Sequence, residues 1–171
     1  MVAWVTLELD VEQFDHAAFE AARSRAQESG IAFTTLAALG NTAEHRRALY
    51  ELNKACSADI PERGQFYTYE EYVEERISVP TFDPHGVVLA LCADQWVGMT
   101  ATSLHPDKGY AFSEMTGVIG PYRGRGLSLA LKTMAIARVR SAGYRRLVTV
   151  HHPGNASAIA MNRRLGFTEC A

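Results

Sequence analysis

The sequence lacks the features of a membrane-spanning or exported protein. No apolar run approaches the roughly 18–20 residues needed to cross a bilayer, and the N-terminal stretch MVAWVTLELD has no basic segment before its apolar residues. Cysteine is scarce. The three cysteines, Cys56, Cys92 and Cys170, are odd in number and far apart, which favours neither a disulfide framework nor a zinc site. We therefore expect a cytoplasmic protein without a metal.

Basic residues are scarce in most of the chain and concentrated at its end. Residues 1–122 contain 8 Lys and Arg against 18 Asp and Glu, whereas residues 123–171 contain 9 against 1. The pattern indicates either a solvated helix face or a local positive field for an anion. Nucleic acid is not the expected anion, because its binders carry a broad basic surface and a high pI, and the pI here is about 6.3.

The 171 residues suffice for a single domain with a hydrophobic core, and no repeat or low-complexity linker divides them. Apolar periodicity predicts strands over 2–9, 31–37, 86–93, 96–104, 110–119 and 146–150. It predicts helices over 11–29, from 41 to about 56, over 68–78, and from 127 to 142. Short turns join the three strands between 86 and 119, so we expect an antiparallel meander.

A glycine-rich loop, GPYRGRGLS, follows the last strand of that meander and leads into the helix ending near Ala142. The first amides of a helix lack internal partners, and the helix dipole favours negative charge there. Gly124 and Gly126 allow close approach of a ligand to the backbone, and Arg123 and Arg125 add charged donors. The loop therefore predicts a site for a pyrophosphate or similar anion. It matches neither the P-loop nor the dinucleotide-binding loop in composition or position.

Two motifs in the C-terminal third resemble those of the GNAT superfamily of N-acetyltransferases. The run VIGPYRGRGLSLALK is similar to the acyl-CoA-binding motif of that superfamily, V-x-P-x-(Y/H)-R-G-x-G-(I/L)-(G/A)-x-x-L. The run NASAIAMNRRLGF is similar to its second motif, N-x-x-A-(I/M)-x-x-Y-x-x-x-G-F. Together the motifs cover about residues 114–168, whereas residues 1–85 match only loosely.

The resemblance implies an α/β fold with a mixed, mostly antiparallel central sheet flanked by helices. It also implies a V-shaped splay between the fourth and fifth strands of the family's sheet. Residues 1–30 would form an N-terminal strand and helix, 31–85 a variable acceptor-binding part, and 86–171 the acetyl-CoA-binding core. The implied reaction moves an acetyl group from acetyl-CoA to a primary amine of a small molecule or peptide, by direct attack in a ternary complex. No nucleic-acid or membrane partner is implied, and a homodimer is possible.

The resemblance also implies a set of residues that bind the cofactor. The backbone of Val118, Ile119 and Gly120 would pair with the pantetheine arm, and Asn155 would bond the amide region of that arm. The pyrophosphate would be held by Arg123 and Arg125 and by the amides of Gly124, Gly126, Leu127 and Ser128.

Asn162 departs from the family pattern, because many members have there a tyrosine that protonates the departing thiolate. An amide can hydrogen-bond a thiolate but cannot protonate it, and general acid help is worth about 10²–10⁴ in rate. Thiolate is nevertheless a tolerable leaving group near neutral pH. We keep Asn162 as a catalytic candidate. The alternative is a weak or inactive acyl-CoA-binding domain, either a sensor or one half of a tandem GNAT protein.

The candidate general base is Glu114, four residues before Val118; a solvated strand residue is the alternative reading. His151 and His152, at the end of the next strand, are further candidates on the acceptor side. Tyr67 and Tyr69 fall, with Tyr72, in the family's variable substrate segment. With the glutamates at 70, 71, 74 and 75 they could form an acidic, aromatic wall for a cationic amine, or else a solvated helix.

The sequence pattern ends four residues after Phe167, where the family has a final hairpin strand, so that strand is expected to be missing. An open sheet edge there would be a pairing hazard. We hypothesise that Val2–Leu9 fills the place, within its own chain or across a dimer.

Overall fold

The computed structural model describes residues 2–61 and 63–170. The first half of the chain forms β1 (Val5–Asp10), α1 (Glu20–Glu28), β2 (Ile31–Thr35), α2 (Leu36–Leu39), α3 (Ala43–Ser57) and α4 (Tyr69–Tyr72), which continues as a π-helical turn over Val73–Ile77. The second half forms β3 (Val87–Cys92), β4 (Gln95–His105), β5 (Tyr110–Val118), α5 (Leu127–Ser141), β6 (Arg146–His151), α6 (Ala156–Arg164) and β7 (Thr168–Glu169).

The two longest helices begin in different ways. At the start of α3 the Thr42 side chain accepts a hydrogen bond from the His45 amide, and the His45 ring accepts one from the Thr42 amide. The residue before α5 is Gly126, which has a φ of 77° and provides no side chain to cap the helix. A side-chain cap accepts hydrogen bonds from amides at the start of a helix, so these amides are no longer free. The uncapped start of α5 therefore leaves its first amides available.

The central sheet has the strand order β2-β3-β4-β5-β6-β1-β7. Every neighbouring pair is antiparallel except β5 and β6, which are parallel and pair only at Ala111↔Leu147 and Phe112↔Val148. Beyond these residues the two strands diverge. Counted from the strand at 31–35, they are the fourth and fifth strands, so the predicted α/β fold and its V-shaped splay are confirmed.

The N-terminal strand β1 lies inside the sheet, between β6 and β7. It pairs with β6 along its whole length, from Val5↔His151 to Asp10↔Arg146. The hypothesis that this segment occupies the place beside the C-terminal strands is therefore confirmed, within one chain. After α6 the described residues form a single two-residue strand, β7, which pairs with β1 at Leu7 and Glu8.

The helix predicted over 11–29 is shorter in the structure, because α1 begins only at Glu20. The side chains of Asp10 and Asp15 each accept a hydrogen bond from the amide two residues further along the chain. Such local bonds compete with helix formation and hold the segment in turns. The apolar side chains between these two aspartates enter the core instead of a helix face.

Buried apolar clusters hold the helices against the sheet. One cluster joins α5 and α6 to β1 and β6 through side chains that include Leu7, Ile136, Leu147 and Ile159. Another joins α3 to β3 and β4. Both α5 and α3 contact β4 and β5, the two strands that lead to the splay. Over residues 2–61 and 63–170, none of the helices is both long and apolar enough to cross a membrane.

Candidate active site

A cavity of about 880 Å³ opens where β5 and β6 diverge. Its wall comes from β5, β6, the start of α5, α6, and the segment between α3 and β3. The candidate site residues that line it are Tyr67, Glu114, Val118, Arg123, Gly124, Gly126, Leu127, Ser128, His151, Asn155 and Asn162. Four others lie outside the wall: Tyr69, Ile119, Gly120 and Arg125.

The glycine loop presents a row of free amides to this cavity. Gly124 and Gly126 have φ values of 78° and 77°, a left-handed conformation that favours glycine. An added Cβ would meet nothing within 4 Å at either position, so open space lies against the backbone. Within the described part of the chain, no protein group accepts a hydrogen bond from the amides of residues 124–129. Together with the dipole of α5, these amides form a cradle for an anion.

Both arginines of the loop are held by the protein itself. Arg123 donates from Nε to the Val118 carbonyl at 2.9 Å and from Nη1 to Asp59 Oδ2 at 2.8 Å. Arg125 donates from Nη2 to the Pro121 carbonyl at 3.2 Å. Arg123 therefore lines the cavity while it is paired with Asp59, and Arg125 lies outside the cavity wall. Each guanidinium has five N–H donors, of which these bonds use two in Arg123 and one in Arg125. That both side chains bind the anion stays a prediction.

The backbone predicted to pair with a pantetheine arm is largely occupied. The Val118 carbonyl accepts from Arg123, and the Ile119 amide donates to the Val97 carbonyl at 2.9 Å. The carbonyls of Ile119 and Gly120 each accept from the amide three residues further along the chain. The open edge lies instead earlier on β5, from Ser113 onward, where β6 no longer pairs with it.

Asn162 and His151 meet on the inner side of the splay. Asn162 is fully buried, its Nδ2 lies 2.7 Å from His151 Nε2, and its Oδ1 has no hydrogen-bond partner among the described residues. Burial, followed by the charge of Lys132, lowers the pKa of His151 to about 4. The ring is therefore neutral near pH 7 and is a weak base there.

The other residues of the two motifs take separate positions. Asn155 precedes α6, lines the cavity, and makes no side-chain hydrogen bond with the described residues. His152 is buried against Trp4, with ring centres 5.4 Å apart, and its Nδ1 accepts from the Gly154 amide at 2.9 Å. Asn155 is therefore available to a ligand, whereas these contacts of His152 support the local backbone.

Glu114 is held by two neighbours at the edge of the cavity. Arg76 Nη1 donates to Glu114 Oε2 at 2.6 Å, and Ser103 Oγ donates to Glu114 Oε1 at 2.6 Å. His105 Nε2 lies 2.9 Å from the same Ser103 oxygen. Arg76 comes from the π-helical turn after α4, so contacts distant in sequence orient this carboxylate. Neither Arg76 nor Ser103 is predicted from sequence, because no local pattern marks them.

The predicted acidic and aromatic wall is only partly present. Tyr67 lines the cavity, with the Arg76 guanidinium 5.6 Å from its ring centre. Tyr72 is buried, and its hydroxyl accepts from Asn53 Nδ2 at 3.0 Å. Tyr69 instead lies under the guanidinium of Arg47, 4.6 Å from its ring centre. Of the four glutamates in this segment, only the one at position 75 is on the wall.

Lys132 is a site residue that the sequence reading missed. Its side chain is only 1% exposed, its Nζ donates to Ser113 Oγ, and it lies 5.2 Å from the centre of the Phe167 ring. Burial lowers its pKa to about 7. The spacing of α5 could have indicated this burial. Lys132 stands three residues after Leu129 and four before Ile136, so it shares one helix face with these apolar residues.

Replacing Lys132 by Met is expected to stabilise the protein most at pH 7 and below. A lysine whose pKa falls from 10.5 to about 7 on folding binds more protons in the unfolded chain between those two pH values. The free energy of unfolding of the parent protein therefore rises with pH across this window, by at most roughly 1.4 kcal/mol per pH unit. The advantage of the Met variant shrinks accordingly as the pH rises. Urea unfolding of both proteins from pH 6 to pH 10 measures their free energies of unfolding. A difference between the two free energies that does not change with pH would contradict the prediction.

The family profile of the acetyltransferase (GNAT) family matches residues 46–167. The chain belongs to this family. This GNAT chain is 34% identical over 122 residues to the mycothiol acetyltransferase of Thermobispora bispora. The aligned region covers 68% of this chain and 41% of that protein. The chain thus spans about two fifths of the length of the curated relatives it matches.

Solved structures of other GNAT proteins share the fold. The tandem GNAT protein from the clavulanic acid biosynthesis pathway aligns with a TM-score of 0.64 at 19% identity, over 99% of this chain and 50% of that chain. Arabidopsis thaliana Naa50, in complex with a CoA-containing bisubstrate analogue, aligns with a TM-score of 0.63 at 19% identity, over 83% and 85%. At these identities the likeness supports the fold alone.

Proposed function

We propose that this chain is an acetyl-CoA-dependent N-acetyltransferase, which moves the acetyl group to a primary amine of a small molecule or peptide by direct attack in a ternary complex. The observation that carries the proposal is the row of free amides at residues 124–129, which opens into the same cavity as a held carboxylate, Glu114. An anion cradle and a base in one cavity are what a reaction between a phosphate-bearing thioester and an amine requires.

The residues present fit acetyl-CoA. The amides of the glycine loop would hold its diphosphate, and the open edge of β5 from Ser113 onward would bond its pantetheine arm. Asn155 would reach the amide region of that arm. The buried Asn162 Oδ1, which has no partner among the described residues, is a polar atom of the kind that a ligand satisfies. Acetyl-CoA supplies the thioester carbonyl that an amine attacks.

The acceptor side would bind and deprotonate the amine. Arg76 and Ser103 hold the Glu114 carboxylate as an acceptor, so it can take a proton from the attacking amine directly or through water. Tyr67 and Glu75 border the same space. An aromatic face beside a carboxylate favours a cationic amine. His151 is a weaker candidate for the base than Glu114, because its pKa is lowered to about 4.

Acetyl-CoA binding followed by turnover tests this proposal. Calorimetry should show that acetyl-CoA binds, and CoA release should then be measured with polyamines, aminoglycosides, amino acids, peptides and lysine. The unacetylated form of mycothiol joins this panel because the similar curated proteins are mycothiol acetyltransferases. We expect turnover with at least one amine. Absence of acetyl-CoA binding would overturn the proposal, whereas binding without turnover on any amine would favour a sensor or the inactive half of a tandem protein.

A further inference from the structure

A buried lysine lies at the apex of the splay, where apolar packing would serve stability better. Lys132 is only 1% exposed and lies against Phe167, a member of the apolar cluster that joins α5 and α6 to β1 and β6, yet its Nζ donates to Ser113 Oγ on β5. Ser113 is the first residue of β5 after the parallel pairing with β6 ends. A buried ammonium is costly unless it is paired or carries out a function. Both residues line the cavity, so the charge is placed at the site itself.

The neighbouring polar groups complete a floor for the cavity, which we define as Lys132, Ser113, Thr149, His151 and Asn162. Thr149 Oγ1 donates to the Ser113 carbonyl at 3.4 Å and lies 3.4 Å from His151 Nε2. Asn162 Nδ2 lies 2.7 Å from the same nitrogen. The polar floor therefore bridges β5, β6, α5 and α6 beneath the point where the strands part.

We infer that Ser113 and Lys132 carry out, in this chain, the protonation of the departing thiolate, with Ser113 as the catalytic donor and Lys132 as the positioning residue behind it. The inference rests on the proposed function and deepens it. As the amine forms its C–N bond, the C–S bond breaks and its electron pair goes to sulfur. Ser113 Oγ then gives its proton to sulfur and takes one from the Lys132 ammonium, which becomes a neutral amine. The proton lost by the attacking amine goes to Glu114, and solvent reprotonates Lys132.

Asn162 and His151, the nitrogen-bearing members of the floor besides Lys132, cannot supply that proton. The amide of Asn162 donates hydrogen bonds but is not an acid in this pH range. His151 is neutral near pH 7, because burial and then the Lys132 charge lower its pKa to about 4. Lys132, with a pKa of about 7, is matched to proton transfer near neutral pH.

The groups that face Lys132 leave its charge uncompensated. Ser113 faces it from β5, His151 acts on it from β6, and the Phe167 ring lies against it from the segment before β7. From α6 the floor includes only the neutral Asn162. Among the described residues no carboxylate forms an ion pair with Lys132. A negative charge that develops on the sulfur would therefore meet the charge of a buried lysine, where the attraction is stronger than in water.

The ionisation of bound CoA tests the inference without turnover. The thiol of bound CoA is titrated through the ultraviolet absorbance of its thiolate in the parent protein, in Lys132→Met and in Ser113→Ala. In the parent protein we expect this thiol to have a pKa below its usual value of about 8.5. Lys132→Met should raise the pKa by about 1 or more, as loss of one nearby opposite charge does. Ser113→Ala should raise it less.

The control is Thr133→Val, which removes a buried hydroxyl from the adjacent position of α5; that hydroxyl donates to the Ala130 carbonyl of its own helix. Thr133→Val should leave the pKa of the bound CoA thiol unchanged.

A second readout is kinetic and uses an amine that the parent protein acetylates. Lys132→Met should lower kcat without raising KM for that amine, and should abolish the fall of kcat above about pH 7. If the parent protein releases no CoA with any amine, the proposed function fails. If the parent protein acetylates an amine but Lys132→Met has the same thiol pKa and the same pH profile of kcat, only this inference is overturned. If Lys132→Met does not fold, the same two measurements on Ser113→Ala test the inference.

Discussion

Replacing Gly126 by Asp is expected to weaken acetyl-CoA binding by at least roughly 100-fold, because the carboxylate would face the cofactor's diphosphate. Like charges about 4 Å apart repel by about 4 kcal/mol at the effective dielectric of a protein surface. An added Cβ meets no atom within 4 Å, so the protein should still fold, and the loss should come from charge rather than from a clash. Calorimetric titration with acetyl-CoA at fixed ionic strength measures the effect.

Gly109→Asp is the matched control for that experiment. Gly109 has a φ of 73°, similar to the 77° of Gly126, and an added Cβ there also meets nothing within 4 Å. Both variants therefore place the same side chain in the same left-handed conformation, which costs about 1–2 kcal/mol of stability. Only Gly126 borders the cavity. Equal affinity of the two variants for acetyl-CoA would remove the glycine loop from the binding site.

Replacing Glu114 by Gln is expected to lower kcat by about 10²–10⁴, the usual contribution of a general base. Gln keeps the size of the side chain, and its one amide oxygen can still accept from Arg76 while its NH2 group faces the Ser103 hydroxyl, but it cannot take a proton. The loss should be largest at low pH, where the acceptor amine is protonated, and should shrink as the pH rises and free amine accumulates. Steady-state kinetics across pH, with the amine found by the turnover assay, measure it.

Glu8→Gln is the control for the carboxylate itself. Glu8 accepts from Arg146 at 2.7 Å, close to the 2.6 Å between Arg76 and Glu114, but it does not line the cavity of the candidate site. We expect Glu8→Gln to leave kcat unchanged. If Glu114→Gln also retains the parent kcat and its pH dependence, Glu114 is not the base, and its bond to Arg76 serves only to hold the wall of the cavity.

Features that depend on short-range chemistry were predictable. The glycine loop and the uncapped start of α5 follow from neighbouring residues, and the antiparallel meander follows from the short turns that join its strands. The position of β1 followed from a different argument, because an unpaired edge beside the C-terminal strands requires a partner. The extended helix over 11–29 was not obtained, because Asp10 and Asp15 bind nearby amides and compete with helix formation.

The sequence by itself determined that the chain has the motifs of a GNAT protein and predicted that the loop at residues 120–128 binds an anion, because glycines, helix start and motif spacing are local properties. Only the tertiary structure decided which polar side chains share the cavity. It buried Lys132 against Ser113, paired Arg76 with Glu114 and Arg123 with Asp59, and turned Tyr69 away. These pairs join residues 19 to 64 positions apart, and such contacts form only when the sheet and its helices pack together.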